Sequence, residues 1–543
     1  MKIFHLLIKP SWKKLLFGAL ISVVSAVLYA LAIKLLNTLI TDESSSKMVF
    51  IEMSGYILIS TSLAVFAAFY LTGLYEKIVS DMRIRLSRQV LKADFEVVEK
   101  NAFKILPVLS NDVNIIGAFA KTIPDILVAV FKIIAIVAYM FAISWELTLL
   151  IIGVFVIVLS FSVVVLKRSV FEERQAQFQR NVLFKQLNGL INGIKELTLN
   201  AKHQLGYVKN TIADSSGKYA RHMTILGSLH ITIVKSAELF VILGLGVAML
   251  IMKSVSGYSN DVFLEFLALV LFILPSLIAV TTFFKSKKKV DVAMEQINAL
   301  SVSFEVYDEL ETAVIFPYNP NLQKPIIKLE EVTYQYGGAE QTKYKIGPVG
   351  LDIYENEILV INGGNGSGKT TLSKVLSGLY MPYSGQISFQ DQLVSKENLF
   401  GYRDMFSAVF ADSHVFDDLR YLELDANDTR LTTYCQLLGV DQKVAIKNSQ
   451  ISTVDLSFGQ RGRLNLLRAL LEDKPVYLFD EWAANQDPYF KSKFYNEILP
   501  LLKSKGKTII AISHDDHYYH VADRLVTLSD GVVEKITNRS EAR

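Results

Sequence analysis

The hydrophobic pattern of this chain changes character once, a little past its midpoint. The first half carries six long apolar runs: Leu15–Leu36, Met53–Leu74, Ile126–Ile143, Leu147–Leu166, Ile231–Met252 and Phe263–Phe284. A membrane-spanning helix needs about 20 mostly apolar residues, and each run is close to that length. A single such run could be the buried helix of a soluble protein. Six together, with the charges gathered between them, predict a helical membrane bundle. No comparable run follows Lys285, where short β-like runs begin to alternate with amphipathic stretches, as in an α/β domain. Lys285, Lys287, Lys288 and Lys289 mark the change, and a connector ends near Pro325. The expected organisation is a transmembrane domain over 1–290, a connector over 291–325 and an α/β domain over 326–543.

The polar positions orient the bundle. The first, third and fifth connections (40–50, around Ser144, and 253–261) are short and carry little positive charge. Long basic stretches follow the second run (Lys77, Arg83, Arg85, Arg88, Lys92) and the fourth (Lys167, Arg168, Arg174, Arg180). Lys and Arg collect on the cytoplasmic side, so both termini are expected there. Glu76–Lys92 repeats apolar residues at helical spacing, so the membrane helices should continue well into the cytosol. Charges inside the runs need their own reading. Lys235 and Glu238 share a helix face and read as an ion pair near the interface, with contact to a transported molecule as the sharper alternative. Lys34 and Lys132 either snorkel or face the bundle interior, and spacing leaves both open.

Composition agrees with this division. Of 543 residues, 51% are hydrophobic, and the mean hydropathy is +0.33. A net charge of +3 argues against a nucleic-acid partner. One cysteine, Cys435, excludes an intrachain disulfide and reads as an ordinary cytosolic thiol. The N-terminal stretch lacks a small-residue cleavage site, and the run after it is too long for a signal-peptide core; it reads as a retained anchor.

The second half holds the chemistry. Ile358–Asn362 reads as a buried strand and leads into GGNGSGKTT, which is Gly363, Gly364, Asn365, Gly366, Ser367, Gly368, Lys369, Thr370 and Thr371. Gly363, Gly368, Lys369 and Thr370 satisfy the phosphate-loop pattern in its required strand–loop–helix setting. Glycines let backbone N–H groups close around phosphate oxygens, and the following helix adds its positive end. Lys369 is expected to reach the β- and γ-phosphates of ATP, and Thr370 to hold Mg²⁺. A second apolar strand, Val476–Phe479, ends in Asp480 and Glu481. Asp480 would hold the magnesium, and Glu481 is placed to polarise the attacking water. A third strand, Thr508–Ser513, ends at His514, at the edge of a parallel sheet where ligands bind.

LSFGQ at Leu456–Gln460 resembles the signature motif of ABC ATPases, and with the six runs the whole chain resembles an ABC exporter half. The resemblance implies a membrane helical bundle fused to a P-loop α/β ATPase that dimerises head to tail. ATP would lie between one copy's phosphate loop and the other's Ser457, Gly459 and Gln460. Tyr336 matches the aromatic that stacks on adenine, Asp487 the loop linking the two sites, and His514 the switch histidine. Two positions depart from the family pattern. Phe458 replaces a glycine of the signature, and Ala411 stands where a glutamine normally joins magnesium to the membrane domain, with Asp412 or His414 as possible substitutes. FSAVFADSHVFDD and DEWAANQDP resemble the cyclic-peptide and siderophore-peptide exporters of the pyoverdine, syringomycin and microcin type. That branch implies a homodimer in the bacterial inner membrane that moves a peptide or siderophore-like peptide outward. A lipid flippase, a siderophore importer and a non-transporting ATP-gated regulator are the rival readings.

Overall fold

A computed structural model describes residues 12–41, 47–254, 260–303, 316, 318–319, 324–336, 345–424 and 428–538. Residues 304–315, 317 and 320–323 of the expected connector, and much of connections 40–50 and 253–261, lie outside these residues. The chain forms two compact units, Met1–Leu91 with Glu99–Glu305 and Lys92–Val98 with Val306–Arg543.

Among the described residues of the first unit, six helices are long and apolar enough to cross a membrane. They are α1 (Trp12–Thr41), α2 (Lys47–Lys92), α3 (Val113–Ile143), α4 (Trp145–Asn192), α5 (Ala213–Ser254) and α6 (Asn260–Ser303). Each apolar run of the sequence lies within one of them. With 46 and 48 residues, α2 and α4 are about 70 Å long at 1.5 Å per residue. That is more than twice the roughly 30 Å of a hydrocarbon core, so the helices continue far past their apolar runs. α6 runs through the Lys285–Lys289 cluster to Ser303, so residue 290 falls within a helix. Lysine has good helix propensity, and a basic run alone does not end a helix.

Ser144 makes the turn between α3 and α4: its backbone is extended and its hydroxyl accepts from the Leu147 N–H at 3.4 Å. Side chains from α3, α4, α5 and α6 meet in a core that includes Met140, Ile151, Val241 and Ile273. Leu58, Phe69, Val164 and Leu250 point outward and are exposed, as a hydrocarbon solvent allows. Beyond the apolar runs, buried carboxylates tie the helices together. Asp112 pairs with Arg180 at 3.1 Å, and Glu172 lies between Arg168 at 2.8 Å and His222 at 2.7 Å. A buried charge stripped of such partners costs several kcal/mol.

The second unit is built on two larger sheets, and residues 446–447 and 450–451 pair in a third, two-stranded one. Strands β1 (Pro325–Gln335), β2 (Lys345–Tyr354), β3 (Ile358–Gly363), β4 (Ser384–Phe389), β5 (Gln392–Leu393) and β6 (Phe406–Val409) precede β7 (Val476–Asp480), β8 (Thr508–Ile512), β9 (Arg524–Ser529) and β10 (Val532–Asn538). One sheet has the order β2-β1-β4-β5 and is antiparallel. The other has the order β10-β9-β3-β8-β7-β6 and is parallel except for β10 at its edge. Parallel strands covered on both faces read as unbroken apolar runs, as β7 and β8 do; every residue of both is buried. Helices α7 (Lys369–Leu376) and α8 (Phe458–Glu472) pack beside this sheet.

Cys435 lies buried in the second unit's core. Burial first, and Asp441 second, push its thiol up to about 11. Thiolate is the reactive form. Native protein at pH 7.5 should therefore take up less than about a tenth of an equivalent of maleimide in an hour, and one equivalent after denaturation. Stoichiometric labelling of the native protein within minutes would show that this core opens readily.

Candidate nucleotide site

Strands β3, β7 and β8 end at one edge of the parallel sheet and deliver the candidate residues there. Gly363 at φ +154°, Gly366 at +81° and Gly368 at +99° shape the loop that joins β3 to α7. Side-chain-bearing residues rarely adopt these angles. A Cβ on Gly363 would also strike the Leu528 carbonyl oxygen, which closes that turn to any other residue. Gly364, Asn365 and Gly366 form the exposed tip of the loop, while Ser367 is buried and its Oγ has no hydrogen-bond partner. Lys369 donates to the carbonyl oxygens of Gly363 at 2.9 Å and Gly364 at 3.0 Å, so its ammonium is folded back under the loop. Burial lowers its pKa, partly offset by Glu481 and Asp480. Thr370 is exposed beside it, and the Thr371 hydroxyl meets that of Tyr336 at 3.2 Å. Tyr336 stands edge-on to Tyr334 and Tyr380, with ring centroids 5.2 and 5.9 Å away.

Asp480 ends β7 and is buried. Its Oδ2 accepts from Ser373 Oγ of α7 at 3.0 Å, while its Oδ1 is buried with no hydrogen-bond partner. Burial raises the carboxyl pKa, the Ser373 hydrogen bond lowers it, and the charge of Glu481 raises it again. Asp480 is held by Ser373, one helical turn after Thr370, and its orphaned carboxylate oxygen fits a hard divalent cation, which takes oxygen ligands. Glu481 follows in the left-handed region at φ +52°, and its N–H donates to the Ile512 carbonyl at 3.1 Å. Its Oε1 lies 3.3 Å from His514 Nε2, so the ends of β7 and β8 bring the two candidate catalytic side chains together.

The signature residues sit on a separate helix. Ser457 caps α8 with a full capping box: its Oγ accepts from the Gln460 N–H at 3.3 Å, and Gln460 Oε1 accepts from the Ser457 N–H at 3.1 Å. Phe458 is 52% exposed, so its ring projects away from the helix and leaves the cap intact. The cap region is also tied to the segment after Glu481. Trp482 Nε1 donates to Gly462 O at 2.8 Å, and Gln486 Nε2 to Gly459 O at 3.0 Å. Arg463 bridges Gln486 Oε1 and Asp487 Oδ2, at 3.2 and 2.8 Å. Ser373, Trp482, Gln486 and Arg463 were not among the sequence candidates. The usable signals were the position of Ser373 one turn after Thr370 and the indole directly after Asp480–Glu481, whose N–H needs an acceptor when buried.

The segment around Ala411 turns on two hydrogen bonds, Phe410 N–H to Ser413 Oγ at 2.8 Å and Asn465 Nδ2 to Ser413 O at 3.0 Å. Asp412 and His414 are both exposed, and both line a cavity of about 320 Å³ together with Phe458, Arg461 and Glu481. Either side chain that could stand in for the missing glutamine therefore opens onto the same space as Glu481. In the first unit, Lys235 and Glu238 form an ion pair at 2.7 Å, and Lys132 Nζ lies 4.6 Å over the Tyr29 ring.

Comparison with known proteins agrees with this geometry. Residues 15–203 match the ABC transporter transmembrane region, and residues 346–484 match the ABC transporter family. The ATP-binding protein SyrD of Pseudomonas syringae pv. syringae is 29% identical over 528 residues, covering 95% of this chain and 93% of SyrD. The energy-coupling factor transporter ATP-binding protein EcfA1 of Mycoplasmopsis synoviae is 30% identical over 219 residues, 38% of this chain and 80% of EcfA1. A bacterial Atm1-family ABC exporter solved with ATP bound shares the fold, with a TM-score of 0.78 at 14% identity over 98% of this chain and 96% of that one.

Proposed function

The chain belongs to the ABC transporter family as an ATP-driven exporter half-transporter, and from that premise we propose that two copies pair to move a peptide or siderophore-like peptide out of the cytoplasm. The observation that carries the pairing is one phosphate loop and one signature helix per chain, the two on different elements of the fold. Each ATP would lie between the Gly363–Thr371 loop of one copy and Ser457, Gly459 and Gln460 of the other. Tyr336 would stack on the adenine, and Asp487 would lie between the two sites.

Within each site Lys369 would leave the carbonyl oxygens of its own loop and turn its ammonium to the phosphates. Thr370 and Asp480 are the residues that would hold Mg²⁺, whose role when bound is to neutralise phosphate charge. Glu481 would take the proton of the attacking water, with His514 orienting the carboxylate and the γ-phosphate region. The basic stretches between runs support placing the ATPase and both termini on the cytosolic side of a bacterial inner membrane. The peptide reading rests on the sequence resemblance around FSAVFADSHVFDD and DEWAANQDP.

Vesicle transport tests this reading. Inverted membrane vesicles should accumulate a fluorescent acylated cyclic peptide with ATP, and not with a non-hydrolysable analogue. Movement of a short-chain fluorescent phospholipid in place of the peptide would favour a flippase. Uptake confined to right-side-out vesicles would favour an importer. ATP turnover with no movement of any of these would sink the transport of peptides and favour a regulator.

A further inference from the structure

We propose that the first unit holds a binding site for an anionic amphiphile, with Lys132 as the residue that selects its charge. α3 carries a polar stripe along one face: Lys121, Asp125 and Lys132 fall four and then seven residues apart. The stripe opens onto two cavities. One, of about 450 Å³, is lined by Lys121, Asp125 and Lys132 with Ser25 and Ser60. The other, of about 250 Å³, is lined mainly by apolar side chains, among them Phe131, Tyr139, Leu269 and Phe272, together with Lys34. Lys132 and Tyr29 line both. A polar chamber and a mainly apolar chamber therefore adjoin at Lys132, the lysine that lines both, while Lys34 lines only the smaller and Lys121 only the larger. Chambers of this size hold small ligands or parts of larger ones.

The ammonium is otherwise unanswered. Among the described residues Lys132 has no carboxylate partner, and its one contact of note is the Tyr29 ring at 4.6 Å. Asp125 lies two helical turns away, about 10 Å along the axis, and is four residues from Lys121. Snorkelling does not explain the position either. The ends of the apolar run, Ile126 and Ile143, are 6 and 11 residues from Lys132, or about 9 and 16 Å along the helix, whereas an extended lysine side chain spans only about 6 Å. The hydroxyls of the larger chamber are turned to each other's backbone, Ser25 Oγ donating to Ser60 O at 2.9 Å and Ser60 Oγ to Ser25 O at 2.8 Å, and offer the ammonium neutral acceptors but no charge. A cation inside a bilayer is expensive, and an aromatic face offsets only part of that. The missing partner is an anion that arrives with its own apolar body: a carboxylate or similar group in the larger chamber, an aliphatic or aromatic tail in the smaller. Calling that molecule the cargo rests on the export reading; its binding does not.

The test uses the purified full chain in phosphatidylcholine nanodiscs without nucleotide. Three amino acid α-carboxamides, each N-acylated with a 12-(dansylamino)dodecanoyl chain, serve as probes: glutamate (anionic), glutamine (neutral) or lysine (cationic) at the head, the blocked α-carboxyl leaving the side chain as the only charge. The glutamate probe should bind at least about tenfold more tightly than the lysine probe. Lys132→Arg should keep that preference, Lys132→Gln should erase it, and Lys132→Glu should reverse it. The neutral glutamine probe should bind every variant alike, which separates a lost charge from a lost fold. Equal binding of all three probes to the unmodified protein, or an anion preference that survives Lys132→Glu, overturns the proposal. Competition by phosphatidylglycerol that depends on Lys132 would support the site and assign its anion to a lipid headgroup. Failure here leaves the vesicle experiment standing, and failure of peptide transport leaves this site standing.

Discussion

Glu481→Gln is expected to slow phosphate release by on the order of a thousandfold, the usual range for loss of a general base, while ATP binding changes by less than about twofold. The substitution is isosteric. It keeps the Glu481 N–H on the Ile512 carbonyl and leaves Lys369 and the glycine loop untouched. It removes only the negative charge that would accept a proton from water, 3.3 Å from His514 Nε2. The two effects are read separately, turnover by phosphate release and binding by a fluorescent nucleotide. His514→Ala should cost less, about tenfold to a hundredfold, because it removes an orienting group and not the base. If Glu481→Gln keeps more than a tenth of the turnover, the base lies elsewhere. Asp412 and His414 line the same cavity and would be the next candidates.

Sequence reading recovered the elements whose signal is local. β7 and β8 are five-residue runs buried at every position, and such runs stand out from their flanks without tertiary knowledge. The six apolar runs were equally plain, but their hydropathy stops where the membrane would stop. α2 and α4 continue through charged sequence because helix geometry needs propensity and packing, not hydropathy. What stayed hidden depends on residues distant in sequence. The Trp482–Gly462 hydrogen bond spans 20 residues, and the Ser373–Asp480 bond spans 107. Neither motif names its partner. Lys132 is the clearest case, since its neighbours in the chain are apolar and only packing shows two chambers meeting at its ammonium. At Ala411 the sequence exposed the missing glutamine, and the fold narrowed the consequence to a space shared with Glu481.

The proposed pairing of two copies predicts complementation between two inactive chains. Lys369→Ala removes the ammonium expected at the phosphates, and Ser457→Arg destroys the capping box while filling the helix end with a long side chain. Each variant alone should fall to about a hundredth of normal ATP turnover or less, since either loss removes electrostatic stabilisation from every site. A heterodimer of the two, isolated through different tags on each chain, contains one site with an intact loop facing an intact signature. Its turnover should recover to at most about half, with one of two symmetric sites restored. A site completed within a single chain gives the opposite result, because each subunit would still carry its own defect. Recovery well below half would have a structural reason. Trp482 and Gln486 tie the signature helix of each chain to the segment carrying its own Glu481, so damage to one site would reach the other. Trp482→Phe removes one of those ties without touching ATP, and in the heterodimer it should weaken that cross-talk. Robust turnover by a demonstrably monomeric chain would leave the shared site without support.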